Sequence, residues 1–143
     1  MSAKQRMLKK YGFHAIVDHW FSHSFSAPSP PQDQGWPSIA NQNHTLILAP
    51  TGSGKTLASF LWCIDELVRE AASADPRQFE RNSTGVHTLY ISPLKALNND
   101  IQRNLEHPLS GIRKSAVALE QETPEIRTAV RTGDTSPSER QSM

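Results

Sequence analysis

Residues 49–56 read Ala-Pro-Thr-Gly-Ser-Gly-Lys-Thr. Glycine at 52 and again at 54 frees the backbone to turn its N–H groups toward an anion. A helix starting near Gly54 would aim the positive end of its dipole at the same point. Lys55 is then placed to reach the β- and γ-phosphates of a nucleoside triphosphate, and the Thr56 hydroxyl to ligate magnesium. The chemistry that fits is the holding of ATP and Mg2+ by Ala49, Pro50, Thr51, Gly52, Ser53, Gly54, Lys55 and Thr56. Within that set Lys55 and Thr56 take the catalytic positions, and Thr56 is also the metal ligand.

The loop needs a buried strand before it and an amphipathic helix after it, and the sequence offers both. His44–Ala49, "HTLILA", reads as a short buried strand. After Lys55, residues Leu57, Phe60, Leu61, Ile64, Leu67 and Val68 recur at spacings of three and four, one face of a helix. The pattern then repeats. "VHTLYIS" predicts a second strand, and Leu94, Leu97, Ile101 and Leu105 line a second helix that opens at a proline. A short helix over residues 112–121 precedes "PEIRTAV", a third strand. Ser136, Pro137 and Glu139 then spell a helix start. Strands alternating with helices predict an α/β fold with a parallel sheet.

Upstream, residues 5–25 carry a helical pattern with Leu8, Ile16, Trp20 and Phe21 as buried positions. "SAPSPPQDQGWP" follows, and its prolines exclude a regular helix or a central strand. His19 and His23 stand four apart on the first helix without a carboxylate or cysteine at ligand spacing, which favours packing over a metal pair. Cys63 is the one cysteine, so no internal disulfide forms, and a reducing cytoplasm is the expected compartment. Its apolar neighbours make it a small buried hydrophobe.

With 143 residues the chain has room for one domain, and 36% hydrophobic residues are enough to build a core. A net charge of +1 means that any contact with a polyanion must be local. No apolar run approaches the roughly 18 residues of a membrane helix, so a membrane is not among the expected partners.

A magnesium–triphosphate site normally takes a further carboxylate from the end of another strand. "LWCIDE", residues 61–66, has the right look, four apolar residues and then acids. Asp65 lies ten residues beyond Lys55, which in a helix is about 15 Å. A direct magnesium ligand must come within about 2 Å. Asp65 and Glu66 therefore read as the polar face of the helix. Asp100 and Asp134 lack a preceding apolar strand, so the sequence holds no acid in the required place.

The opening Ala49, where many phosphate loops have glycine, together with "ISPLKAL" and "RTGDTSPSER" in this order, resembles superfamily 2 DEAD/DEAH-box helicases, most closely the large helicase-related (Lhr) family. The resemblance covers residues 13–143 or so and carries four motifs. "PSPPQDQGWPSIA" resembles the family's proline-and-glutamine segment. "APTGSGKTLASFLWCIDEL" resembles its first motif, "LYISPLKALNNDIQRNLEHPL" its motif Ia, and "RTGDTSPSER" a further signature.

The resemblance implies a RecA-like P-loop NTPase domain, incomplete here. Residues 1–27 form an N-terminal helical and aromatic segment, and 28–143 the first half of the ATP-binding domain, truncated before the strand that bears the acid. It implies an ATP-dependent helicase acting 3′-to-5′ on single-stranded DNA in DNA repair, with the C-terminal part of the motor required for activity. By the same resemblance Gln32 reads adenine, an upstream aromatic (Trp20, Phe21 or Phe25) stacks on the base, and Ser92, Lys95, Arg131, Thr132 and Thr135 face the nucleic-acid backbone. The 143 residues alone are then expected to bind nucleotide, hydrolyse it poorly, and expose apolar sheet edges that favour aggregation. Another phosphate-loop enzyme such as a kinase, and a degenerate non-catalytic binding remnant, are the alternatives.

Overall fold

Helices and their caps account for the ordered architecture. The computed structural model describes residues 7–73, 85–92 and 96–143. A 3-10 turn, Lys9–Tyr11, leads to α1, Ala15–Ser24. Helix α2 is Pro30–Ala40, α3 is Lys55–Ser73, α4 is Ala96–Ala118 and α5 is Pro137–Ser142. The pattern over residues 5–25 is thus divided rather than continuous: Gly12 takes φ +84°, a left-handed conformation, between the turn and α1. Leu8, Ile16, Trp20 and Phe21 are all buried, as their spacing predicts.

Helix α2 corrects the reading of the proline segment. Pro30 and Pro31 occupy the first two helical positions, where no intrahelical N–H bond is lost. Gln32, in the third, reaches back so that its Oε1 accepts the Ser29 N–H at 2.9 Å. Pro37 lies inside the helix, a cost of about 3 kcal/mol in an isolated helix. Its neighbour Trp36 supplies an offsetting contact: fully buried, it donates from the indole Nε1 to the Ala58 carbonyl at 2.9 Å. That bond fixes α2 against α3. Asp33 in turn accepts from Lys10 Nζ at 2.9 Å and from the Tyr11 hydroxyl, tying the 3-10 turn to α2.

Helix α4 also differs from expectation. It runs unbroken through Pro108 and Gly111 to Ala118, merging the second helix with the short one expected at 112–121. Packing explains the continuity, because α1 lies along it and the Trp20 indole sits directly over Gly111. Leu109, Ile112 and Ala116 join Leu8, Val17, Phe21, Trp36, Leu61, Ile64 and Val68 in one core. Ile101 and Leu105 are half-buried along the same helix. Leu94, Lys95 and the polar stretch 74–84 lie outside the described residues. At α5, Ser136 Oγ accepts the Glu139 N–H at 3.3 Å and Glu139 Oε2 accepts the Ser136 N–H at 2.9 Å, the cap the sequence spells.

Asp65 needs a second correction. It is not on a polar face but fully buried. Glu66, by contrast, is exposed and accepts the Trp62 indole N–H at 3.1 Å.

The parallel sheet does not form among the described residues: 44–49, 86–92 and 124–130 run without a ladder. Leu46 and Leu48 are 83% and 85% exposed, and Val86, Leu89 and Ile91 also face solvent. A strand exists only through its partner's hydrogen bonds, and strands consecutive in the chain need not be neighbours in an open α/β sheet. Three residues of these segments do pack: Ile47 is seated against Gly35 of α2, the Tyr90 ring lies 5.3 Å from that of Phe60, and Ile126 lies partly buried against the core. The unpartnered edges make a solubility prediction. Leu48→Lys together with Ile91→Lys should raise the soluble monomeric fraction of this chain in size-exclusion chromatography. An unchanged elution profile would show that these segments do not drive association.

Candidate nucleotide site and nucleic-acid interface

The phosphate loop is built by local geometry. Gly52 and Gly54 take φ +76° and +89°, conformations L side chains rarely adopt. Space around Gly52 is open, so its requirement is the dihedral alone. At Gly54 a Cβ would also fall 2.8 Å from Gln32 Nε2 and 2.9 Å from Ser29 Oγ. Helix α3 begins at the next residue, so its first amides, which have no intrahelical acceptor, open toward the loop.

The lysine is folded back onto its own loop. Lys55 Nζ donates to the carbonyls of Ala49 and Pro50, the second at 2.6 Å. Ser53 Oγ also donates to Pro50 O, at 2.7 Å. Thr56 is exposed at the second position of α3. An open cavity of about 490 Å³ lies alongside, lined by Asn43, Thr45, Lys55, Thr56, Ser59 and Tyr90 among others, with no carboxylate among the described residues of its wall.

Gln32 joins the site from α2. It is 4% exposed and donates from Nε2 to the Gly54 carbonyl at 3.4 Å while its Oε1 holds the Ser29 N–H. One amide hydrogen and one lone pair remain for another partner. Ser29 Oγ is buried beside it with no hydrogen bond, which marks this corner as incompletely satisfied. Of the three aromatics, Trp20 and Phe21 are core residues, whereas Phe25 is 38% exposed with its ring centroid 4.7 Å from that of Phe21. Phe25 alone of the three presents ring surface to solvent, where a base could stack.

The other singled-out side chains are occupied structurally. Asp65 Oδ1 accepts the His14 N–H at 2.7 Å and Oδ2 accepts Arg69 Nε at 2.5 Å. Burial pushes its carboxyl above the ordinary carboxylate range, with the His14 N–H and Arg69 pulling back. Arg69 lies just beyond the stretch that resembles the first motif, yet an acid four residues before an arginine on one helix is a readable pair. His19 and His23 stack at 4.1 Å, His19 Nδ1 meets Ser115 Oγ at 3.0 Å, and burial followed by His23 lowers the His19 pKa. Cys63 is half-buried, and burial raises its thiol pKa against a hydrogen bond with Thr88. That is an inert setting for a thiol.

The "RTGDT" segment is a hydrogen-bonded turn. Thr132 N–H donates to Thr135 Oγ1 at 2.8 Å, and the Asp134 N–H to Thr132 Oγ1 at 3.2 Å. Arg140 of α5 brackets it, donating to the carbonyls of Thr135, Thr132 and Gly133 at 2.8, 3.3 and 3.2 Å. Both threonine hydroxyls act as acceptors here and keep their own hydrogens to give. Arg131 is exposed next to them, Ser92 is half-buried, and Lys95 lies outside the described residues. No described helix is long and apolar enough to cross a membrane.

The profile of the DEAD/DEAH box helicases matches residues 29–137, a span that holds the loop, Gln32 and the "RTGDT" turn. The chain belongs to the DEAD/DEAH box helicase family. Among members of this family it is 44% identical over 131 residues to the Lhr helicase/uracil glycosylase of Escherichia coli, covering 92% of this chain and 8% of that protein. It is 45% identical over 130 residues to the ATP-dependent helicase Lhr-Core protein 2 of Thermococcus barophilus, covering 89% of this chain and 14% of that one. The structure of Mycobacterium smegmatis helicase Lhr bound to ssDNA and AMP-PNP superposes with a TM-score of 0.78 at 46% identity, over 92% of this chain and 15% of that chain. The fold is therefore that of the matching part of an Lhr helicase. The chain spans only 8% to 14% of the length of the two curated relatives.

Proposed function

We propose that this chain is the ATP-binding portion of an Lhr-type, ATP-dependent DNA helicase. The observation that carries the reading is the pair of positive φ angles at Gly52 and Gly54 immediately before α3. That backbone turns successive amides toward one point at a helix start, where a phosphate chain is held by hydrogen bonds and by the dipole. Lys55 leaves the Ala49 and Pro50 carbonyls to donate to the β- and γ-phosphates. Thr56 offers one oxygen to Mg2+, which when bound neutralises charge on the transferring phosphate. Gln32 directs its remaining amide hydrogen and lone pair to the adenine edge, and Phe25 supplies the stacking face.

In this reading the segments at 44–49, 86–92 and 124–130 are strands of a parallel RecA-like sheet whose further strands come from elsewhere in a longer protein. None of the described residues lining the cavity beside Lys55 and Thr56 is a carboxylate, which supports the reading that the 143 residues bind nucleotide but hydrolyse it near the uncatalysed rate. Calorimetric titration with ATP and magnesium tests the reading. Saturable one-to-one binding is expected, and a flat titration with folded protein would refute it.

Single-stranded DNA is the proposed second ligand, held by its backbone. Arg131 and the hydroxyls of Thr132 and Thr135 would contact phosphates at the turn, with Ser92 and Lys95 extending the track. Such contacts position a strand without reading its sequence. Arg131→Ala should weaken binding of oligonucleotides of different sequence about equally, and lower the log–log salt slope by about one. A slope that did not change would remove Arg131 from the interface.

A further inference from the structure

We propose that Asp65 and Arg69 of α3 are positioning residues for recognition of the nucleotide base, acting by clamping the Gly12–His14 turn from which α1 starts. The proposal rests on the assignment of Gln32 and Phe25 to the base. Asp65 has no solvent exposure, and both of its oxygens are used, one on the His14 N–H at 2.7 Å and the other on Arg69 Nε at 2.5 Å. Arg69 continues from Nη2 to the Gly12 carbonyl. One acid–arginine pair thus grips a carbonyl and an amide two residues apart, across 51 positions of sequence between His14 and Asp65.

Between those two backbone groups the Phe13 ring is wedged edge-on to Trp36 of α2 at 4.9 Å and to Trp62 of α3 at 5.1 Å. The grip fixes where α1 begins, since His14 is its N-cap. Ten helical residues later Phe25 closes α1 by donating its N–H to the Phe21 carbonyl at 2.9 Å. Ser29 follows within four residues, and Gln32 reaches Gly54. Rotating α1 at its start would therefore move Phe25 relative to Gln32 and the phosphate loop.

Asp65 itself is about 15 Å from Lys55 along the helix, too far to touch a nucleotide. An apolar pair of similar volume would serve a purely structural role as well or better. What the charged pair adds is direction: it holds one donor and one acceptor of the backbone at fixed angles.

The test compares ATP with inorganic tripolyphosphate, both with magnesium, on the full 143-residue chain and on Asp65→Asn and Arg69→Lys. Tripolyphosphate reports the phosphate loop alone, and the preference for ATP reports the base contacts. The unchanged chain should prefer ATP by roughly tenfold or more, the scale of one stacked base. Both variants should bind tripolyphosphate within about twofold of the parent and lose most of that preference. If Asp65→Asn does not fold, Arg69→Lys carries the test, because it keeps the charge and gives up the two-pronged geometry. An unchanged preference in a folded variant overturns the proposal, as does equal weakening of both ligands. Absence of any ATP preference in the parent chain removes the base assignment, and this proposal with it, while leaving the phosphate loop standing.

Discussion

Lys55→Ala is expected to weaken binding of ATP–magnesium by roughly 10- to 150-fold, the equivalent of about 1.5–3 kcal/mol for a hydrogen bond to a charged group. Its melting temperature should hardly move. Among the described residues the ammonium donates to the carbonyls of Ala49 and Pro50 alone. Pro50 is exposed and Ala49 half-exposed, so water takes over both acceptors when the lysine is gone. Loss of affinity without loss of stability separates a ligand-binding role from a structural one. Lys114→Ala, which removes an exposed cation from α4, controls for net charge. Equal affinities of Lys55→Ala and the parent chain would take the lysine out of the site.

Gly111→Ala is expected to lower the melting temperature by about 5–10 °C, the shift that 2 kcal/mol or so produces in a chain of this size. The sign is what makes this informative. Glycine-to-alanine exchange inside a helix ordinarily stabilises by about 1 kcal/mol, and α4 is a helix on both sides of residue 111. Here the new methyl would fall inside van der Waals contact with Trp20 Nε1 and Cδ1. Trp20 is buried and touches Phe21, Phe25 and His107 edge-on, so the indole cannot swing aside cheaply. Overpacking of this kind costs about 1–3 kcal/mol, and here it must first cancel the helical gain. A double change, Gly111→Ala with Trp20→Phe, should recover part of the loss through the coupling of touching residues. A rise in melting temperature for Gly111→Ala alone would show that α1 does not lie on α4 in this way.

The parts of the fold legible from sequence are those decided within a few residues. Two glycines before a lysine determine the loop's dihedrals locally, and Ser136, Pro137 and Glu139 specify a helix start without help from the rest of the chain. Helix α2 obeys the same rule, with Ser29 and Gln32 three apart around two prolines, but counting prolines as breakers regardless of position hides it. Pro30 and Pro31 sit where a helix has no use for the N–H they lack. Pro108 and Gly111 mislead for a related reason, since the contact with Trp20 that suits a glycine in α4 joins residues 91 positions apart, a difference of 111 and 20.

Asp65 was legible as too distant for magnesium but not as buried, because its partners His14 and Gly12 belong to the other end of the chain. Strand pairing is non-local in the same sense. An apolar run such as Thr45–Leu48 states what a strand would bury, while the neighbour that buries it is specified elsewhere. The adenine-side aromatics show the intermediate case. The family resemblance offers Trp20, Phe21 and Phe25 alike, and packing separates two core residues from one exposed ring.

The most direct measurement is a titration of the folded, isotope-labelled chain with ADP and magnesium, read at the backbone amides by NMR. If the turn from Pro50 to Thr56 cradles phosphates, the amides of Gly52, Gly54, Lys55 and Thr56 should show the largest and saturable shifts, reproduced by inorganic pyrophosphate. Shifts confined to other residues, or none at millimolar nucleotide, would contradict the account at its root.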